Sequence, residues 1–217
     1  FKDAKKELNE RLASLNDLLN HKMYQEITVG GQSYESWLVS HQPFHWLAEY
    51  YNIIHGNRGF DVIIGNPPYV VYTRKDKETK KAVCDIYKLR DYDTLECNNL
   101  YAFVIERSFK IMHEDSKIGI IIPISAFSNS NMTVLQKLLK EKGTSLHVST
   151  YHQRPAQLFN GVLQRLSIFV CTKDENSTSP IHTTGIYRWY ASTRGFLFQN
   201  LSYVSTEQNK EGSFVKI

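Results

Sequence analysis

The stretch that most constrains this chain is Phe60-Asp61-Val62-Ile63-Ile64 running into Gly65-Asn66-Pro67-Pro68-Tyr69. A β-branched apolar run stopped by a glycine and two prolines reads as a buried strand ending in a rigid turn. In open α/β sheets, ligands bind beyond the carboxyl ends of the strands, which is where this turn falls. Two consecutive prolines fix the backbone and remove two amide donors, leaving carbonyl acceptors unshared. Asn66 adds a side-chain carbonyl. The pair makes a rigid acceptor for both hydrogens of a planar amino group, and Tyr69 offers an aromatic face on which a ring can stack. The plainer alternative is a loop in which Asn-Pro-Pro merely ends a strand. The strand before it and the aromatic after it argue against that.

The rest of the pattern is α/β. Phe1, Leu8, Leu12, Leu15 and Leu19 stripe an amphipathic N-terminal helix, expected to pack on its own domain. Gly30-Gly31 marks a turn, and short helical pieces follow at 36–39 and 44–50 with Pro43 as a start signal. The segment 70–97 is polar and without clear period. Helices are expected over 99–112 and 131–142, the second stopped by Gly143, and further strands at 118–122, 146–151 and 165–172. Alternating strands and helices predict a layered α/β sheet. The run DENSTSP after Lys173 reads as a linker, and the tail to Ile217 as strand-like and helical pieces without a core of their own.

Charge is local rather than global. The chain of 217 residues carries a net charge of +4, and the segment 71–90 alone holds seven basic residues against three acidic ones. Arg74, Lys75, Lys77, Lys80 and Lys81 in this run are the candidates for phosphate contact, against the alternative of a solvated loop. Cys84, Cys97 and Cys171 form neither a disulfide framework nor a zinc spacing, which points to a reducing, cytoplasmic setting. No metal site is expected: His41 and His45 are four apart, but Pro43 between them breaks the helix such a site needs. Apolar runs such as 118–124 are too short to cross a bilayer, so no membrane partner is expected. A first residue of Phe and no apolar leader suggest a piece of a longer protein.

The turn resembles motif IV of amino methyltransferases that use S-adenosylmethionine, above all the N6-adenine DNA methyltransferases. Asn99-Leu100-Tyr101-Ala102-Phe103 is similar to their motif V, 117–123 (KIGIIIP) to motif VI, and Leu158-Phe159-Asn160-Gly161-Val162 running into 165–170 to motif VIII. His41-Gln42-Pro43-Phe44-His45-Trp46 ahead of Gly59-Phe60-Asp61 resembles the long-chain subset in which restriction and modification share one polypeptide (type IIG-like).

The resemblance implies methylation of an adenine flipped out of double-stranded DNA into a pocket. Asn66 and Pro67 would accept the two amino hydrogens, with Pro68 and Tyr69 completing the catalytic turn. Tyr69 and Phe159 would stack on the base, and Asn66, Pro67 and Phe103 would contact S-adenosylmethionine. The family's glycine-rich cofactor motif and the acidic residue for the ribose are not found upstream. The implied fold is therefore the second half of a Rossmann-like methyltransferase sheet behind an N-terminal helical segment. Its expected divisions are a helical insert at 1–58, the catalytic half at 59–173, and a linker leading into a following region at 174–217. The cofactor site is expected to be incomplete in this chain, leaving the isolated fragment inactive and prone to self-associate. Methylation of a protein glutamine or an RNA base, and a non-catalytic DNA-binding module, are the alternatives.

Overall fold

The computed structural model describes residues 2–27, 31–174 and 180–206. Phe1, Gly30 and most of the expected linker lie outside them. A six-stranded mixed sheet forms the centre: β1 (Phe60–Gly65), β2 (Met112–Pro123), β3 (Gly143–Tyr151), β4 (Leu166–Lys173), β5 (Ile181–Tyr187) and β6 (Val204–Thr206). Their spatial order is β1-β2-β4-β3-β5-β6. β1 and β2 run parallel, β4 is antiparallel to both β2 and β3, β5 is parallel to β3, and β6 closes antiparallel on β5.

The helices are α1 (Lys2–Ile27), α2 (Tyr34–His41), α3 (Trp46–Glu49), α4 (Val83–Ile86), α5 (Leu100–Ile111), α6 (Ser125–Ser128) and α7 (Thr133–Lys142). α5 connects β1 to β2, and α7 connects β2 to β3. They cover one face of the sheet. Ile105 of α5, Leu135 and Leu139 of α7, and Phe169 of β4 are wholly buried there with Ile118, Ile120 and Ile122 of β2. Each such side chain contributes about 1.5–3 kcal/mol by leaving water. Among the described residues the opposite face is covered only at one end, where Tyr151, Leu158, Leu166, Trp189 and Leu197 form a second, smaller core.

Glycine is required at two junctions. Gly59 takes φ +138°, and a Cβ there would lie 2.6 Å from the His113 amide nitrogen and the Ile111 carbonyl oxygen. The chain can therefore enter β1 directly beside the α5–β2 junction only without a side chain. At Gly143 a Cβ would meet the Leu139 carbonyl oxygen at 2.8 Å, so α7 turns into β3 at that residue.

Three expectations need correction. β1 is a strand but not a buried one: Val62 is 56% and Ile64 83% exposed. Among the described residues β1 pairs only with β2, so its outer edge and the face carrying Val62 and Ile64 are open. The stripe of α1 packs only in part, because Leu8 and Leu15 are exposed while Leu12 and Leu19 are half-buried against its short neighbours α2 and α3. The region after residue 173 is not separate either. β5 and β6 extend the same sheet, and Trp189 and Leu197 belong to its second core. Among the described residues no helix is long and apolar enough to cross a membrane.

Candidate active site

The site is built around the turn that follows β1. Pro67 is buried, Asn66 and Pro68 are exposed, and Tyr69 is half-buried against the main core. Beyond Tyr69 the chain is tied to the start of α5. Leu100 N–H donates to the Val70 carbonyl at 2.9 Å and Tyr72 N–H to the Asn98 carbonyl at 3.0 Å, with a bridge between Val71 and Asn99. Asn98 reinforces the tie, accepting from Thr73 N–H at 3.1 Å and donating to Thr73 Oγ1 at 2.8 Å.

Within the turn, the Tyr69 hydroxyl donates to Asn66 Oδ1 at 2.6 Å. Burial pushes the Tyr69 hydroxyl pKa up, which keeps its proton in place as a donor. An amide oxygen has two lone pairs, so Asn66 retains one acceptor site. Tyr101 meets the Tyr69 ring edge-on at 6.5 Å.

The turn lines two hollows. On one side is a cleft of about 670 Å³ along the free edge of β1, lined by Asn66, Pro67 and Pro68 together with Phe103 and Arg107 of α5. Phe103 is almost wholly buried, with Tyr72 edge-on at 5.4 Å and Tyr92 tilted at 5.7 Å. The three residues expected to contact a cofactor thus share one cleft. On the other side is a recess of about 380 Å³ lined by Tyr69, Arg74, Asn99, Tyr101, Gln153 and Arg165, among others.

Phe159 is not in either hollow. It is 38% exposed and lines a third cavity with Leu158, Trp189 and Arg194. The Arg194 guanidinium holds this loop by donating to the Leu158 carbonyl at 2.7 Å and the Gln157 carbonyl at 3.1 Å. The expected two-sided aromatic clamp is not assembled in this structure.

Arg74, Lys75, Lys77, Lys80 and Lys81 are all exposed. Their loop is a hydrogen-bonded turn rather than a structureless run. Asp76 accepts from the amides of Glu78 and Thr79 and from the Thr79 hydroxyl, which holds its carboxyl below the usual range. Glu106 is buried on α5 and accepts from Asp93 N–H, Thr94 N–H and Thr94 Oγ1, with Lys110 Nζ at 2.7 Å. Burial acts to raise its pKa, but Lys110 and the Thr94 and Asp93 donors outweigh it and the net shift is downward.

His41 and His45 are occupied elsewhere. His41 stacks on Trp37 at 5.4 Å, and His45 Nε2 lies 2.7 Å from Asn20 Oδ1. The residues missed in the sequence are Gln153 and Arg107. Gln153 lies just past β3, ahead of the one signal that the long β3–β4 connection carries, the stretch resembling motif VIII that runs from Leu158 into Arg165. Asn99 was visible only as the first residue of the stretch resembling motif V.

Comparison with known proteins places this geometry. Residues 1–159 match the Eco57I restriction-modification methylase family. The type II restriction enzyme and methyltransferase RM.Eco57I of Escherichia coli is 35% identical over 85 residues, covering 39% of this chain and 8% of that protein. The type II methyltransferase M.HincII of Haemophilus influenzae is 29% identical over 117 residues, covering 54% of this chain and 23% of that protein. The chain thus spans less than a quarter of the length of either relative. In a cryo-EM structure of a DrdV–DNA complex, one chain superposes with a TM-score of 0.57 at 13% identity, over 76% of this chain and 19% of that one, a likeness of fold.

Proposed function

Because the chain belongs to the Eco57I restriction-modification methylase family, we propose that it carries the base-side half of an adenine N6-methyltransferase acting on double-stranded DNA. One observation carries this reading: a single turn contributes Asn66, Pro67 and Pro68 to the cleft containing Phe103 and Tyr69 to a separate recess. An amine entering from the recess would meet Asn66 and Pro67 at the border with the cleft. The Asn66 side-chain carbonyl and the Pro67 backbone carbonyl accept its two hydrogens, which orients the nitrogen lone pair toward the cleft. Tyr69 stacks on the ring, a contact worth about 1–3 kcal/mol per base. Phe159 would join it only after the loop held by Arg194 moves.

The residues of the cleft fit S-adenosylmethionine in part. Phe103 and the apolar lining suit an adenine ring, and Asn66 and Pro67 would border the methyl group when the cofactor is bound. No acidic side chain lines the cleft among the described residues, so ribose hydroxyls and a methionine ammonium find no carboxylate there. When bound, the cofactor supplies an electrophilic methyl group. This chain's residues supply the acceptor geometry and the stacking face. Groups outside this chain are assigned the rest of the grip, and the isolated chain is accordingly inactive and self-associates through the open edge of β1.

Residues 1–58 serve as a helical insert, and the catalytic half starts at 59 and continues through the sheet. Arg74, Lys75, Lys77, Lys80 and Lys81 contact phosphates flanking the extruded base, with Arg74 reaching the recess itself. Nucleoside mass spectrometry on genomic DNA from cells with and without the parent gene tests the reading. N6-methyladenine that disappears with the gene supports it, and an unchanged level contradicts it.

A further inference from the structure

We infer that Asn99 and Gln153 read the ring of the extruded base, within the recess walled by Tyr69. The inference rests on the amino-methyl-transfer reading above and names contacts that reading leaves open.

Asn99 occupies the N-cap of α5, where an asparagine ordinarily accepts a hydrogen bond from an amide of the first helical turn. Its side chain makes no such bond. Its Oδ1 is instead buried without a hydrogen-bond partner. Gln153, just beyond the carboxyl end of β3, has an Oε1 in the same condition. Buried polar atoms without partners are few in native proteins, and each one demands a reason. Here the residues carrying those two oxygens come from separate elements and line one hollow, together with Tyr69. The hollow is within the size range of small-molecule sites, and it lies at the carboxyl ends of the strands beside Pro123 of β2.

The chemistry of an amide narrows the ligand. A terminal amide presents a carbonyl acceptor and an NH2 donor in one plane, and a half-turn exchanges them. Such groups pair with adenine by placing a donor on a ring nitrogen and an acceptor on the amino group. In this site the amino hydrogens are taken by Asn66 and Pro67. The ring nitrogens N1, N3 and N7 are therefore what remains to be read, and NH2 groups donate to them. A protein glutamine has no ring nitrogen, so contacts of this kind would distinguish a nucleobase from a protein amide.

The test uses the full-length polypeptide and four duplexes, carrying adenine, 1-deazaadenine, 3-deazaadenine or 7-deazaadenine at the target position. The wild type is expected to lose about tenfold in kcat/KM on at least one deaza duplex, mainly through KM. Asn99→Ala or Gln153→Leu should lose about as much on adenine and nothing further on that duplex. Variants that methylate adenine as the wild type does, or that lose equally on all four duplexes, overturn the inference while leaving the methyl-transfer reading intact. A wild type inactive on adenine overturns both. Gln153→Leu lies in a loop and carries the test alone if Asn99→Ala lowers the melting temperature.

Discussion

The Tyr69 hydroxyl donates to Asn66 Oδ1 at 2.6 Å, with the Ile121 carbonyl oxygen 3.2 Å away as the competing acceptor. One residue of the turn thus sets the orientation of another three positions earlier. The proposed function gives this aromatic two separable roles, a ring that stacks on the base from the recess it lines and a hydroxyl that holds the acceptor.

Replacing Tyr69 with Phe removes only the second role. In the full-length protein Tyr69→Phe should lower kcat by roughly twofold to tenfold, the value of one net hydrogen bond, while base retention persists. Tyr69→Ala should in addition weaken retention, seen as a smaller fluorescence gain from 2-aminopurine at the target position. A phenylalanine variant with wild-type kcat would show that the hydroxyl does not position Asn66.

The turn after β1 was legible in the sequence because its backbone is set locally: a glycine and two prolines end the strand there. The exposure of Val62 and Ile64 was not legible, because burial of a strand depends on what pairs with it. The same holds for Phe159. Its loop is held by Arg194, which lies 36 residues beyond the Leu158 carbonyl it binds. Nor does spacing reveal that β5 joins β3, since that pairing is long-range and follows a polar run.

Glu106 makes stability pH-dependent in a defined direction. Its folded pKa lies below the ordinary 4.5, so its contribution is present in full above that value. The contribution fades as the pH falls from there through the lower folded value. Glu106→Ala leaves the Thr94 donors without a partner in a buried site and should cost about 2–4 kcal/mol at neutral pH. Chemical denaturation at pH 7 and pH 3 checks both statements. The gap between wild type and variant should narrow at pH 3, and an unchanged gap would contradict the assignment.

At Gly59 the structure leaves no room for a Cβ and the backbone lies at φ +138°. Gly59→Ala should destabilise the protein by about 2–4 kcal/mol through strain and a backbone clash. A melting temperature equal to that of wild type would mean that the entry into β1 differs from the one described.

The basic turn makes an electrostatic prediction. Changing Lys75, Lys77, Lys80 and Lys81 together to Gln should weaken DNA binding and flatten its salt dependence, by up to about 0.9 in log–log slope for each phosphate that is no longer neutralised. Binding isotherms across a series of salt concentrations supply the slopes. Equal slopes for variant and wild type would return the loop to the status of a solvated surface.

In the proposed function Asn66 accepts a hydrogen from the amine that receives the methyl group. Asn66 is exposed, so Asn66→Ala removes an acceptor without opening a cavity in the core. The decisive measurement is transfer of labelled methyl from S-adenosylmethionine to adenine-containing duplex by the full-length protein and its Asn66→Ala variant. Melting temperature is recorded for both. Near-complete loss of transfer with an unchanged melting temperature is the expected outcome. Wild-type turnover by a folded Asn66→Ala protein would contradict it.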